Sequence, residues 1–251
     1  MRKLLLSFLL AAGAIAPGHA QQAQLPGDDQ PSAPIVVQGV RDQIKEIGRF
    51  IDALTDAPAF GQLSRFDWAV CPASIGLGDP KNAVIVQRMT QVARAAVIPV
   101  AKPGCRPNVL LIVTRDKGAL IDELGRKYPA YFEGVSNAAI KQMKRDPSPA
   151  AAWHVQGLLD ADGVEAQRDL LTGQRIIERT DISSRLSTMS RPHFIAAVVV
   201  VELDALGGLT VTQLADYAAM RAFARTDPRR LKGTGAPTIL SAIVAPMNSP
   251  V

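Results

Sequence analysis

Histidine, aromatic side chains and cysteine are all scarce in this chain, and each scarcity removes a class of function. Of 3 His in 251 residues, His19 falls within the first twenty residues, which leaves His154 and His193 for the folded body. Zinc hydrolases draw on several His and a carboxylate, often as H-E-x-x-H on one helix, and no such motif occurs. His154 sits in an alternating strand pattern beside Trp153, and His193 just precedes an apolar run, so both read as hydrogen-bonded structural residues. Aromatics make up 5%, too few for the stacking platforms of a nucleic-acid binder. The formal charge of +5 is spread through "RDQIKEIGR", "KQMKRD" and "RTDPRRLK" with acidic residues interleaved. That pattern describes a solvated surface and predicts no nucleic-acid partner.

Other motifs are missing altogether. The nucleophile-elbow pattern G-x-S-x-G is absent, so Ser74 in "CPASIGLG" reads as part of a Pro/Gly-rich loop. A scattered Ser/His/Asp triad stays open as an alternative, because its members need not be near in sequence. "GLGDP" places a Pro where a phosphate loop needs N–H donors, and "KGTGAP" lacks the G-K-[ST] ending. The carboxylates Asp122/Glu123 and Asp160/Asp162 are adjacent or loop-borne, and nothing singles out a glycosidase pair. No catalytic residue is therefore assigned, and no cofactor or metal is expected.

What is present begins with "MRKLLLSFLLAAGAIAPGHA". Arg2 and Lys3 precede an apolar stretch from Leu4 to Ile15, and Gly18 and Ala20 are small residues at a cleavage site. Residues 1–20 are read as a signal peptide, with an uncleaved anchor as the alternative. Residues 21–34, polar and with Pro and Gly, are read as a flexible leader. No second apolar stretch of bilayer length follows, so no integral membrane span is expected after cleavage. The expected location is periplasmic or secreted. In an oxidising compartment the only cysteines, Cys71 and Cys105, are expected to pair. Neither the C-x-x-C redox spacing nor a close Cys/His metal spacing is present.

Periodicity supplies the outline. "IVVQG" reads as a short strand or docking segment, and Val40, Ile44, Ile47, Ile51 and Leu54 form one helical stripe. "RFDWAVC" alternates Phe66, Trp68 and Val70 and predicts a strand. A helix capped by Asp79 with Pro80 at its first position follows, then the buried strand "NVLLIVTRD" and a helix capped by Asp116. Together they predict a βαβ unit with parallel strands, the disulfide joining the end of its first strand to the entry of its second. Ser136 caps a short helix ending before Pro147, and "AAWHVQGLL" is a strand. A hairpin or long loop is expected over 160–189, with "RIIERTD" its best strand. "HFIAAVVVVEL" is the strongest strand of all. In the helix "LTVTQLADYAAMRAFA", Thr210 or Thr212 caps, the alanines pack on a sheet, and Gln213, Asp216 and Tyr217 are its only polar side chains suited to chemistry. Thr238 caps a last short helix. The expected class is α/β, with α+β as the alternative: a single domain over 35–251 on a mixed sheet with flanking helices and one disulfide.

The segments "VVVVELDALGGLTVTQLADYAAMRAFARTDP" and "APTILSAI", with "LSRFDWAVCPASIGL" and a second Cys before "NVLLIVT", resemble a family of exported bacterial proteins of unknown function. More loosely, the order strand, helix, "TIL" is similar in layout to zincin metallopeptidases. "QLADYAAM" then stands where the zinc helix would be, without its His residues or its Glu. That likeness implies an inactive relative. The resulting expectation is an exported, non-catalytic protein that binds a small molecule or an envelope protein; the alternative is an exported hydrolase diverged from zincins.

Overall fold

The longest apolar run in the chain is also the strand that every layer packs against. The computed structural model describes residues 62–169, 175–176, 190–231 and 238–243, with Lys45, Gly48, Asp52 and Leu54. All of these belong to one compact unit, Val40–Val251. The expected signal peptide, leader and "IVVQG" segment lie outside the described residues.

In chain order the elements are β1 (Pro72–Ile75), α1 (Asp79–Ala95), β2 (Val109–Thr114), α2 (Lys117–Lys127), α3 (Asn137–Arg145) and β3 (Ala150–Asp160). They continue with a small hairpin of β4 (Gln167–Arg168) and β5 (Arg175–Ile176), then β6 (Ser190–Glu202) and α4 (Val211–Phe223). The main sheet has the order β1-β2-β6-β3. β1, β2 and β6 run parallel, and β3 returns antiparallel along the outer side of β6. This is a mixed four-stranded sheet of the α/β class in a single domain, with helices on both faces.

Side-chain alternation assigns the two faces. Leu111, Val113, Ala197, Val199 and Val201 point to one side, where Ile85, Met89 and Ala93 of α1 and Leu214, Ala218 and Ala222 of α4 cover them. Ile112, Val198, Val200, Ala151 and Trp153 point to the other, beneath Ile121 of α2 and Phe132. β6 is paired on both edges and its stretch Ala196–Val201 is buried on both faces, which is why Phe194 to Val201 read as an unbroken apolar run. The alanines of α4 leave room for the helix to lie close to the sheet.

Helix caps formed largely as expected. Asp116 accepts from Ala119 N at 2.8 Å, Ser136 from Ala139 N at 3.2 Å, and Thr210 with Gln213 makes a full capping box. Thr238 caps a 3-10 turn, Ile239–Ser241. Of the helix expected over 40–55, the described residues are all helical and Leu54 is in the core.

Two expectations need correction. "RFDWAVC" is not a strand: only Arg65 and Val70 make isolated bridges, and Trp68 is 44% exposed while Phe66 and Val70 are buried. The strand begins after it, at Pro72, because parallel pairing with Val109 starts there and an edge strand tolerates a residue with no N–H. Asp79 is likewise the first helical residue and not the cap, which is Gly78. Gly76 ends β1 at φ 101°, where a Cβ would stand 2.0 Å from the Val113 carbonyl oxygen, so only glycine fits that turn.

The disulfide joins Cys71 to Cys105. With β1 starting at Pro72, it ties the entry of β1 to the connection ahead of β2. Its partners are 34 positions apart, a loop whose closure is worth about 3–4 kcal/mol. Replacing both cysteines with alanine should lower the urea-unfolding free energy by about that amount. Equal midpoints for the oxidised wild type and the double variant would contradict this.

Candidate functional site

The polar residues singled out by sequence are dispersed through the fold, each with its own local partner. Ser74 is buried at the sheet edge and donates from Oγ to Asn82 Oδ1 at 3.1 Å. Asp216 accepts from Arg88 Nε and Nη2 at 2.6 and 2.9 Å, an ion pair that joins α4 to α1. Tyr217 is buried, and desolvation raises its hydroxyl above the ordinary tyrosine range. Gln213 is consumed by the capping box. Asp122 pairs with Lys144 and Glu123 with Lys127 on the surface. Asp160 accepts from the backbone N–H groups of Asp162 and Val164 and so shapes a turn. Cys71 and Cys105 are bonded to each other and offer no nucleophile.

The two histidines are also held apart in function. His193 is fully buried, its Nε2 3.2 Å from Glu165 Oε2 and its ring edge-on to Trp68 at 4.6 Å. Gly157 makes room for that pair, since a Cβ there would lie 2.2 Å from His193 Nε2. The ring of His154 stacks on Phe194, with centroids 4.2 Å apart, and lies 2.9 Å through Nε2 from the Ala222 carbonyl oxygen. A carbonyl can only accept, so Nε2 carries the proton. Burial holds the His154 pKa down at about 4, opposed by that bond and reinforced by Arg221 and Arg225.

His154 opens onto the feature that does gather polar groups, a groove of about 460 Å³ along the outer edge of β3. Its floor is Ala150 to His154 with Gln156, consecutive residues from both faces of the strand, as an edge-on view of a sheet requires. One wall is α3, through Ala139, Gln142 and Met143, with Asp146 and Ser148 beyond it. The other is the end of α4 and the turn after it, Arg221 and Arg225 to Arg229. β3 is the last strand of the sheet. On its outer side the far end is paired, through Leu158 and Asp160 with Ala166 and Val164. From Ala150 to Gly157 no other strand pairs with that side among the described residues.

Polar contacts fix both walls. Lys117, 3% exposed, sends its Nζ to the carbonyl oxygens of Asp146 and Ser148. Trp153 Nε1 donates to the Tyr131 carbonyl at 2.8 Å. Arg229 grips Asp227 through Nε and Nη2, both at 2.9 Å, and holds that carboxyl below its ordinary range. Its Nη1 lies 3.6 Å from Asp146 on the opposite wall. Arg221 lies over the Tyr217 ring at 5.9 Å. Its Nε and the Thr226 hydroxyl are shut off from water with no hydrogen-bond partner among the described residues. Each such donor costs about 1–3 kcal/mol.

The groove is lined by strand residues of β3, by Arg221, Arg225 and Arg229, and by Ser136, Ser148 and Thr226. Among the described residues no group of three or more His, Cys, Asp and Glu is placed to hold a metal ion. Comparison with known proteins returns no match: no family model fits the chain, and no curated protein or solved structure is detectably similar.

Of the residues considered from sequence, His154 alone lines the groove. Arg225, Thr226 and Arg229 were absorbed into the reading of "RTDPRRLK" as solvated charge, and Arg221 lies within the helix "LTVTQLADYAAMRAFA". Their one signal was a cluster of arginines directly after the helix that follows the central strand.

The His154 shift has a consequence for stability. The unfolded side chain titrates near 6.5 and the folded one near 4, so between those values only the unfolded chain takes up the proton. Folding stability should therefore fall as the pH drops through that window. Urea midpoints at neutral pH and at two values between 4 and 6.5 should decline less in His154→Gln than in wild type. Parallel declines would show that His154 is not the group responsible.

Proposed function

We propose that this chain is an exported, non-catalytic binding protein that holds an extended segment of an envelope partner along the open edge of β3. The observation that carries this reading is the groove, floored by strand backbone that no other strand pairs with among the described residues and walled by two separately anchored elements. Backbone at strand spacing recognises an extended peptide through main-chain hydrogen bonds, independently of most of its side chains. Seven residues of edge, from Ala150 to Gln156, extend about 23 Å, the reach of a short peptide and more than a compact small molecule needs.

The first twenty residues and the disulfide support export, since disulfides persist in oxidising compartments. No helix among the described residues is long and apolar enough to cross a membrane. The alternative of a hydrolase diverged from zincins finds no supporting constellation around α4, where Asp216 is engaged by Arg88.

Two measurements test the proposal together. The mature chain should show no turnover in a hydrolase panel; turnover lost on mutating Ser74 or Asp216 would overturn the non-catalytic reading. Immobilised mature chain should also retain a subset of a random decapeptide pool. Gln142→Trp, an exposed helix position on the groove wall, should cut that retention at least tenfold while the melting temperature stays unchanged. Retention unaffected by the tryptophan would remove the groove as the binding site.

A further inference from the structure

Strand geometry decides which way each residue of β3 turns its backbone and its side chain. On the outer side of β3, the Leu158 carbonyl accepts from Ala166 N at 2.7 Å, and Asp160 N donates to the Val164 carbonyl at 2.8 Å. In an antiparallel ladder every second residue turns both its N–H and its C=O to the same side. Gln156, His154 and Ala152 therefore turn theirs outward, into the groove. The irregularity beside Gln156 leaves this order intact, because the residue that the register skips, Ile195, belongs to β6. A strand added along the groove would pair through those three residues. Each of its side chains would share a face with the β3 side chain opposite, and successive ones on a face would stand about 7 Å apart.

The two faces meet different walls. Ala151 and Trp153 lie on the face covered by Ile121 and Phe132. Val135 and Met143 pack against that apolar cluster and also line the groove, so a side chain entering on this face meets hydrocarbon. Ala150 and Ala152 lie on the opposite face, with His154 stacked on Phe194. There the wall is the end of α4 and the turn after it, where three arginines, Arg221, Arg225 and Arg229, stand against one carboxylate, Asp227. Asp227 is gripped by Arg229 and also feels the charge of Arg221, and Asp146 across the groove meets Arg229 as well. The excess on this wall is positive, and it reaches the strand. Burial is the main cause of the low His154 pKa, and the charges of Arg221 and Arg225 press it in the same direction. Arg225 is exposed, within reach of a ligand, while Arg221 acts from a half-buried position.

We infer that the groove selects an extended segment of a partner protein in which apolar and acidic residues alternate, the apolar ones toward Val135 and Met143 and the acidic ones toward Arg225. This rests on the groove being the binding site, and adds the chemistry of the segment that it takes. The pattern is the same for a strand added in either direction, because side chains alternate between faces in both. Composition alone does not satisfy it: a segment with the same residues out of alternation places carboxylates against hydrocarbon on one face and apolar groups against arginine on the other.

The test uses the folded mature chain and four fluorescently labelled decapeptides titrated by anisotropy. The first alternates valine with glutamate, and the second has the same composition with like residues in pairs. The third is the first with lysine for glutamate, and the fourth is the first with serine for valine. The alternating valine–glutamate peptide should bind about tenfold or more tighter than each of the others. Arg225→Glu should weaken that peptide about tenfold and strengthen the lysine peptide, and Arg225→Gln should give a smaller loss, each with an unchanged melting temperature. Added salt should narrow the preference for glutamate over lysine. If the four peptides bind alike, or Arg225→Glu leaves their order unchanged, while Gln142→Trp still abolishes binding, the inference fails and the groove reading stands. Peptide binding indifferent to Gln142→Trp defeats both. A valine–glutamate peptide that is not bound, with members of the random pool still retained, overturns the inference alone.

Discussion

The pairing of β6 on both edges and its burial on both faces is the constraint on which the rest of this structure depends. A strand in that position needs apolar side chains at every residue, and Ala196 to Val201 supply six in succession, all buried. Its parallel partner β2 pairs in turn with β1, and the parallel β1–β2 crossover carries α1 on one face of the sheet. Its antiparallel partner β3 follows from the direction of the chain and becomes the outermost strand. An outermost strand exposes backbone donors and acceptors, a feature that proteins normally cover or blunt. Here two walls rise beside it, and among the described residues no strand fills the space between them.

Those walls are positioned by polar contacts made in otherwise apolar surroundings. The ammonium of Lys117 is drawn inward to two backbone carbonyls, and it holds the turn between α3 and β3. A buried charge is tolerated there because carbonyl dipoles replace the water it has lost. On the other wall, Asp227 and Arg229 stiffen the turn after α4, while α4 itself is tied to α1 by Arg88 and Asp216. A groove with fixed sides needs little ordering when a ligand enters, which is the circumstance in which a few well-placed donors decide specificity.

α4 shows how one helix can serve two ends. Along most of its length Leu214, Ala215, Ala218, Ala219 and Ala222 are core, and its polar side chains cap or brace. Its last turn reaches the sheet edge, where the carbonyl of Ala222 meets His154 and Arg221 faces the groove. The resemblance that placed a zinc helix at this position directed attention to the middle of α4. The residues that line the groove sit at its C-terminal end instead.

The sequence by itself determined the pieces whose signals are local. The apolar run of β6, the caps at Asp116, Ser136 and Thr210, the parallel βαβ order and the Cys71–Cys105 pair each follow from neighbouring residues or from simple elimination. It misplaced β1 because Phe66, Trp68 and Val70 alternate as a strand would, whereas the strand begins where Pro72 meets Val109 across the sheet. Only the tertiary structure could decide that. The groove was beyond the reach of sequence for the same reason: whether β3 is an edge depends on which strand stands beside it. Thr226 reads as part of a solvated, charged segment until the fold closes around it, because burial is a property of three-dimensional neighbours and not of position along the chain.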